Sequence, residues 1–283
     1  MSTILSCTDG SLYAASVYDH TAWAAQRMGA GVHVLHMLEL PTQVAPADIS
    51  GAIGFDASSE LLAQMVDLAE TQARIAQAKA RVILAEARRH FETAGVSPIV
   101  LEKQHGALVD SIERFDAAAD LIVIGKRGEH ADFAKLHLGS NLERVIRSSR
   151  HPVLVASRAF RPIERFMIAF DGGPSSRKAV AYAASQPLLR GLSCHLISVG
   201  HKQPQLAQDL ESARRELVAA GYTVTAELLE GAPETVLADA VRRLNIHLLV
   251  MGAYGHSRIR QFIVGSTTTT MIRTVQIPVL MFR

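Results

Sequence analysis

Residues 248–255 read Leu-Leu-Val-Met-Gly-Ala-Tyr-Gly, and after nine more residues the chain continues Gly-Ser-Thr at 265–267. The apolar run predicts a buried strand that ends at a glycine. Gly265 and Ser266 open a segment that we interpret as a helix. Glycine allows close approach of the backbone to an anion, and the first amides of a helix have no partner inside it. The pattern therefore predicts a phosphate site made by Gly252, Gly255, Gly265, Ser266 and Thr267.

The spacing G-x2-G-x9-G-S separates this loop from other phosphate-binding loops. A Walker A loop has a lysine between its last glycine and the following Ser or Thr. Here Ser266 follows Gly265 directly. The glycines follow a late strand and lie too far apart for the dinucleotide fingerprint. Two glycines after a strand would by themselves fit an ordinary turn or helix cap equally well.

The chain repeats its motifs in two halves. Gly106 corresponds to Gly231, and residues 120–125 correspond to 247–252. Strands alternate with helices in each half, which indicates right-handed crossovers and a parallel sheet covered on both faces. The predicted fold class is α/β, with two repeated doubly wound domains of five parallel strands each. We place the domains at 1–157 and 164–283, on either side of a basic stretch that contains proline.

Asp171 ends the first predicted strand of the second half and is followed by Gly172 and Gly173. In doubly wound sheets the ligand lies beyond the carboxyl ends of the strands, where the strand order reverses. Strands one and four meet there, so Asp171 and Gly252 are expected to lie at one crevice. Asp171 is a candidate to orient ligand hydroxyls or to hold a metal shared with phosphate. An Asx turn that caps the next helix is the alternative.

The loop resembles that of the nucleotide-binding universal stress proteins through Gly252, Gly255, Gly265 and Ser266. The repeat extends the resemblance over both halves. It implies that ATP or a related adenine nucleotide binds in the second half, with ribose near Asp171 and the base read by main-chain groups near Val199 and Met251. It also implies that Mg or Mn can accompany the nucleotide. A stress-survival role follows from the same resemblance, as does pairing of domains through their fifth strands, within the chain or between chains.

The first half carries the same motif less faithfully. Its counterparts are Asp9, Gly125, Gly128, Gly139 and Ser140, but ten residues separate Gly128 from Gly139. The loop is also more acidic, which is unfavourable beside phosphates, although Lys126, Arg127 and Lys135 partly offset that charge. The sequence leaves open whether the first half binds nucleotide.

Composition restricts the other functions. The 283 residues include 48% hydrophobic and 20% charged residues, and the net charge is +2, so nothing demands a nucleic-acid or membrane partner. We interpret Cys7 and Cys194 as buried thiols of a cytoplasmic protein. The twelve histidines form no metal-ligand pattern. A long helix is predicted from Glu60 to Thr93, after a loop over 41–58.

Three functions remain after these restrictions. The first is a stress-response protein that binds nucleotide, without a catalytic residue and at most with weak ATPase activity. The second is a protein-interaction module with vestigial sites, acting through the long helix. The third is a nucleotide hydrolase or transferase in which Asp171 holds the metal.

Overall fold

A computed structural model of the protein describes residues 2–38, 55–116, 118–126, 140–201, 203–253 and 265–283. In the first half the elements are β1 Thr3–Thr8, α1 Ala14–Met28, β2 Gly31–Leu38, α2 Phe55–Thr93, β3 Ile99–His105, α3 Leu108–Asp116, β4 Leu121–Gly125, α4 Ser140–Ser148 and β5 Val153–Ala156. In the second half they are β6 Arg165–Ala169, α5 Pro174–Ser185, a short 3-10 helix Pro187–Leu189, β7 Ser193–Val199, α6 Pro204–Ala219, β8 Val224–Leu229, α7 Pro233–Arg243, β9 Leu248–Gly252, α8 Ser266–Thr274 and β10 Val279–Phe282.

Local sequence explains where these elements begin and end. Pro174, Pro204 and Pro233 each occupy the first position of a helix, where the missing N–H is not needed. Gly29 ends α1 in the left-handed region at φ 60°, and its N–H bonds Ala25 O. The strands at the centre of the sheet are short apolar runs with almost no exposed residue.

The ten strands of the described residues form one sheet in the order β3-β2-β1-β4-β5-β10-β9-β6-β7-β8. Every neighbouring pair is parallel except β5 and β10, which pair antiparallel with Leu154 opposite Leu280. Each half therefore contributes five parallel strands, as predicted, but the halves share a sheet. The resemblance implied that the fifth strands of the two halves pair within the chain or between chains. The structure contains the pairing within the chain, between β5 and β10.

Helices cover both faces of the sheet. One apolar cluster joins the strands to α1, α2, α5 and α6, and a second joins them to α3, α4, α7 and α8. Both clusters contain residues of both halves. The doubly wound α/β prediction is thus confirmed, and the hydrophobic core is continuous across the repeat.

One predicted boundary is wrong. The long helix was expected from Glu60 and the loop before it up to residue 58, but α2 begins at Phe55. Residues 55–59 therefore belong to the helix. The cluster of small residues suggested a loop. The rest of that predicted loop lies outside the described residues.

Candidate functional site

Asp171 and Gly252 meet at one edge of the sheet, as the topology predicted. The strands β6 and β9 are neighbours, with Ala169 paired with Met251. Asp171 follows β6 by two residues, and Gly252 is the last residue of β9. The strand order reverses between these two strands, so this edge is the switch point of the second half.

The two ends of the glycine loop are held together. The amide of Gly265 donates to Ala253 O at 3.1 Å, and Thr268 Oγ1 donates to Gly252 O at 3.1 Å. Helix α8 consequently begins beside the end of β9. Gly255 and the other residues of 254–264 lie outside the described residues.

The start of α8 has the features of an anion site. Gly265 is its N-cap and makes no side-chain capping bond, and Ser266 is exposed. The first intrahelical bond runs from Thr269 N to Gly265 O at 2.9 Å. The amides of a first turn point out of the helix end, where the helix dipole favours negative charge.

Thr267 bonds a carboxylate at the start of α8. Its hydroxyl donates to Glu234 Oε1 at 2.7 Å. Contact of Thr267 with phosphate stays a prediction. The hydrogen bond from Thr267 lowers the pKa of Glu234, so the carboxylate is ionised at neutral pH. A fixed negative charge therefore stands beside the predicted phosphate site, and sequence reasoning missed it. A glutamate in the first turn of α7 is an ordinary helix-dipole feature, and its sequence position gave no sign of this contact.

Asp171 forms the Asx turn that was the alternative to a ligand role. Its Oδ1 accepts hydrogen bonds from Gly173 N at 2.9 Å and from Ser176 Oγ at 2.6 Å. These bonds fix the start of α5. A carboxylate has about four lone-pair positions, so capping and contact with ligand hydroxyls are compatible. The ribose role remains a prediction.

Gly252 is required by packing. A Cβ placed on Gly252 would lie 2.8 Å from Ser175 Cβ, which is closer than non-bonded carbon atoms approach each other in proteins. Helix α5 thus begins directly against the end of β9. This close approach explains the glycine whether or not phosphate binds there.

The base-reading positions differ in accessibility. Met251 is 4% exposed and lies in the ladder between Ala169 and Met281, so its main chain is held by the sheet. Val199 ends β7 and is half-buried. Leu206 of α6 lies beside it, close to both Gly200 and Gly172. A Cβ placed on Gly200 would be 3.3 Å from the Leu206 side chain, and a Cβ placed on Gly172 would be 3.9 Å from it. Leu206 therefore narrows the crevice on its β7 side.

The first half repeats part of this arrangement. Asp9 Oδ1 accepts a bond from Ser11 N at 2.9 Å, Gly125 ends β4, and α4 begins at Ser140. Gly128 and Gly139 lie outside the described residues. The turn after Asp9 is covered by α2, because a Cβ on Gly10 would lie 2.3 Å from Ile83 Cδ1.

Lys126 links the first half to the second. Its Nζ donates to Val275 O and, at 3.2 Å, to Ile277 O, both just beyond the end of α8 in the other half. Its positive charge therefore stabilises the carboxyl end of α8. In the first half, the corresponding carbonyl of His151 accepts instead from Ser149 Oγ at 2.9 Å.

Reactive side chains are scarce near this edge. Ser176, the hydroxyl bound to Asp171, is 1% exposed and cannot reach a ligand as a nucleophile. Burial raises the pKa of Cys7 and of Cys194 to about 12, so both are inert thiols, as their buried positions predicted. In the described part of the chain, no three His, Cys, Asp or Glu side chains gather as metal ligands. None of the helices within those same ranges could cross a bilayer.

Comparison with known proteins agrees with this architecture. The universal stress protein family matches twice, over residues 1–157 and 162–283. The universal stress protein Slr1230 of Synechocystis sp. is 40% identical over 287 residues, which cover 100% of both chains. The chain belongs to the universal stress protein family, as a tandem member with two repeats.

Two solved structures share the fold over nearly the whole chain. A universal stress protein from Archaeoglobus fulgidus has a TM-score of 0.75 at 23% identity, covering 99% of this chain and 96% of its own. A functionally unknown protein from Pseudomonas aeruginosa has a TM-score of 0.64 at 16% identity, covering 99% and 92%. At these identities the likeness concerns the fold alone.

Proposed function

We propose that this protein binds ATP or a related adenine nucleotide in its second half, as a cytoplasmic stress-response protein. The observation that carries the proposal is the closure of the glycine loop. Gly265 and Ala253 bring the start of α8 to the end of β9 with a 3.1 Å hydrogen bond, beside the turn of Asp171. The phosphates lie on Gly252, Gly255, Gly265 and Ser266, with the ribose toward Asp171.

The base lies toward the end of β7, near Val199 and against Leu206. The Leu206 side chain offers an apolar contact for one face of a purine ring. Any Mg or Mn arrives with the phosphates, because the described part of the chain has no cluster of three metal-binding side chains. Cytoplasmic location agrees with two free, buried cysteines.

We expect binding rather than rapid turnover. Hydrolysis needs a positioned base for water or an accessible nucleophile. The Asp171 carboxylate is engaged with Gly173 and Ser176 as the cap of α5.

The substitution Ser266→Glu tests the site. A glutamate in the first turn of α8 favours the helix through its dipole, so the fold is retained. The same carboxylate repels a triphosphate and should weaken ATP binding by about 10- to 100-fold, measured by titration calorimetry. Val218→Glu is the control, because Val218 is exposed near the far end of α6 and the charge change is the same.

Unchanged ATP affinity in Ser266→Glu would contradict the proposal for the second half. Binding by the unaltered protein at one equivalent per chain, abolished by Ser266→Glu but not by Val218→Glu, would support it. ATP affinity equal in Ser266→Glu and Val218→Glu would place the nucleotide elsewhere.

A further inference from the structure

A second copy of this chain cannot use the fifth strands as its docking surface. Strands β5 and β10 already pair with each other, and they are flanked by β4 and β9. Among the described residues the edges of the sheet are β3 and β8. Self-association of this chain therefore needs a different surface.

The described side chains in the first half of the long helix α2 are not buried. The helix has 39 residues, which corresponds to about 58 Å. No described side chain from 61 to 75 is buried, and the first buried residue is Ala80. A helical segment without tertiary packing is only marginally stable in water, since helices gain most of their stability from a packed face. This segment is therefore suited to packing against another helix.

An exposed apolar stripe runs along this helix. The residues at every seventh position, with their exposed fractions, are Leu61 at 38%, Leu68 at 55%, Ile75 at 62% and Val82 at 71%. Three residues after each comes a second series, Gln64, Thr71, Ala78 and Ala85, all exposed. The two series lie side by side, because residues three apart share a helix face. Leu84, Ala87 and Phe91, which pack on the domain, are on the opposite side.

An apolar residue at every seventh position supplies one of the two series of a two-helix seam, and here the second series is small or polar. This arrangement allows the large side chains of one helix to pack over the smaller ones of another. The seven-residue repeat keeps the seam in register along both helices.

Charge along α2 changes sign near its exposed midpoint. Between 61 and 70 the charged residues are Asp67 and Glu70, and between 71 and 82 they are Arg74, Lys79 and Arg81. A parallel pair of these helices would set like charges against each other. An antiparallel pair sets the acidic part of each helix beside the basic part of the other.

We propose that the α2 helices of two copies of this chain pack antiparallel, with a two-fold axis between Ala69 and Glu70. In this register Leu68 lies beside Thr71 of the second copy, and Ile75 lies beside its Gln64. On the flank of the seam, Asp67 faces Arg74 of the second copy. Two-fold symmetry repeats each contact. The packed parts of the two chains lie at opposite ends of the helix pair, so they do not collide.

The first test uses two glutamate substitutions on the same helix. Leu68→Glu places one carboxylate from each copy in the seam. It should raise the dissociation constant of the dimer by about 100-fold, measured by analytical ultracentrifugation. Val66→Glu is the matched control, because Val66 is 58% exposed but lies on a different face. Both positions are solvent-exposed in the single chain, so circular dichroism at concentrations where the protein is monomeric should report the same helix content and thermal midpoint for both variants and the unaltered protein.

A dimer that is lost in Leu68→Glu and kept in Val66→Glu supports the proposal. A monomeric unaltered protein throughout the micromolar range overturns it. A dimer that persists in Leu68→Glu also overturns it, since association then uses another surface.

Cross-linking tests the direction of the helices. The native Cys7 and Cys194 are 6% and 1% exposed and do not interfere. In an antiparallel pair, Thr71→Cys lies near the axis and forms a disulfide with its own copy, whereas Ala85→Cys lies far from its copy. Cross-linking of Thr71→Cys alone supports the arrangement, and cross-linking of both variants, or of Ala85→Cys alone, overturns it.

Discussion

At the scale of single residues, Glu234 is the side chain that most affects the proposed site. Its Oε1 accepts a hydrogen bond of 2.7 Å from the Thr267 hydroxyl, beside the start of α8. The Thr267 hydrogen bond lowers the pKa of its carboxyl group, which keeps it ionised. The carboxylate holds Thr267, and its charge would oppose phosphates bound at the proposed site.

Replacing Glu234 with glutamine should strengthen nucleotide binding. The amide oxygen still accepts the Thr267 hydroxyl, but the negative charge is gone. We expect ATP affinity to rise by about 2- to 10-fold, with a smaller gain for adenosine, which carries no phosphate. Calorimetric titration with both ligands measures the difference. An equal effect on ATP and adenosine would contradict the electrostatic explanation.

At the scale of elements, the contact between β9 and α5 determines what kind of residue position 252 accepts. A Cβ at Gly252 would lie 2.8 Å from Ser175 Cβ and 3.5 Å from Ser176 N. These atoms belong to the first turn of α5, whose position is also fixed by Asp171. The end of one strand and the start of one helix are thus packed without space for a side chain.

Substitution of Gly252 by valine should destabilise the protein even without nucleotide. Overpacking of this kind costs about 1–3 kcal/mol. The free energy of unfolding from urea titration, measured without ligand, checks the prediction. Stability equal to that of the unaltered protein would show that α5 moves freely, and only then would a loss of affinity in this variant report on phosphate binding alone.

At the scale of the whole molecule, the antiparallel junction makes one folding unit of two repeats. Val155 pairs with Val279 and Leu154 with Leu280, and all four residues are fully buried. Both apolar clusters contain residues of both halves. Lys126 adds a polar link from the first half to the carbonyls beyond α8.

Thermal unfolding should therefore proceed in one transition. Separation of the halves would expose the buried residues of β5 and β10 together, so neither half can unfold without destabilising the other. Scanning calorimetry should give one peak whose calorimetric and van't Hoff enthalpies agree. Two resolved peaks would show that the halves unfold independently.

The sequence predicted much of the fold because its signals are local. Apolar runs ending in glycine or aspartate identified the strands, and the repeated motifs identified two equivalent halves. The start of α2 was misplaced because residues 55–59 combine small and polar side chains without a strong helical pattern.

The sequence by itself determined the α/β class, the tandem repeat and the convergence of Asp171 and Gly252, because strand order and glycine spacing are written along the chain. Only the tertiary structure decided how those residues are used. Glu234 reaches Thr267, Leu206 narrows the crevice on its β7 side, and Lys126 crosses to the other half because the fold brings distant segments together. Side-chain partners of this kind depend on distances in space, which spacing along the chain does not encode.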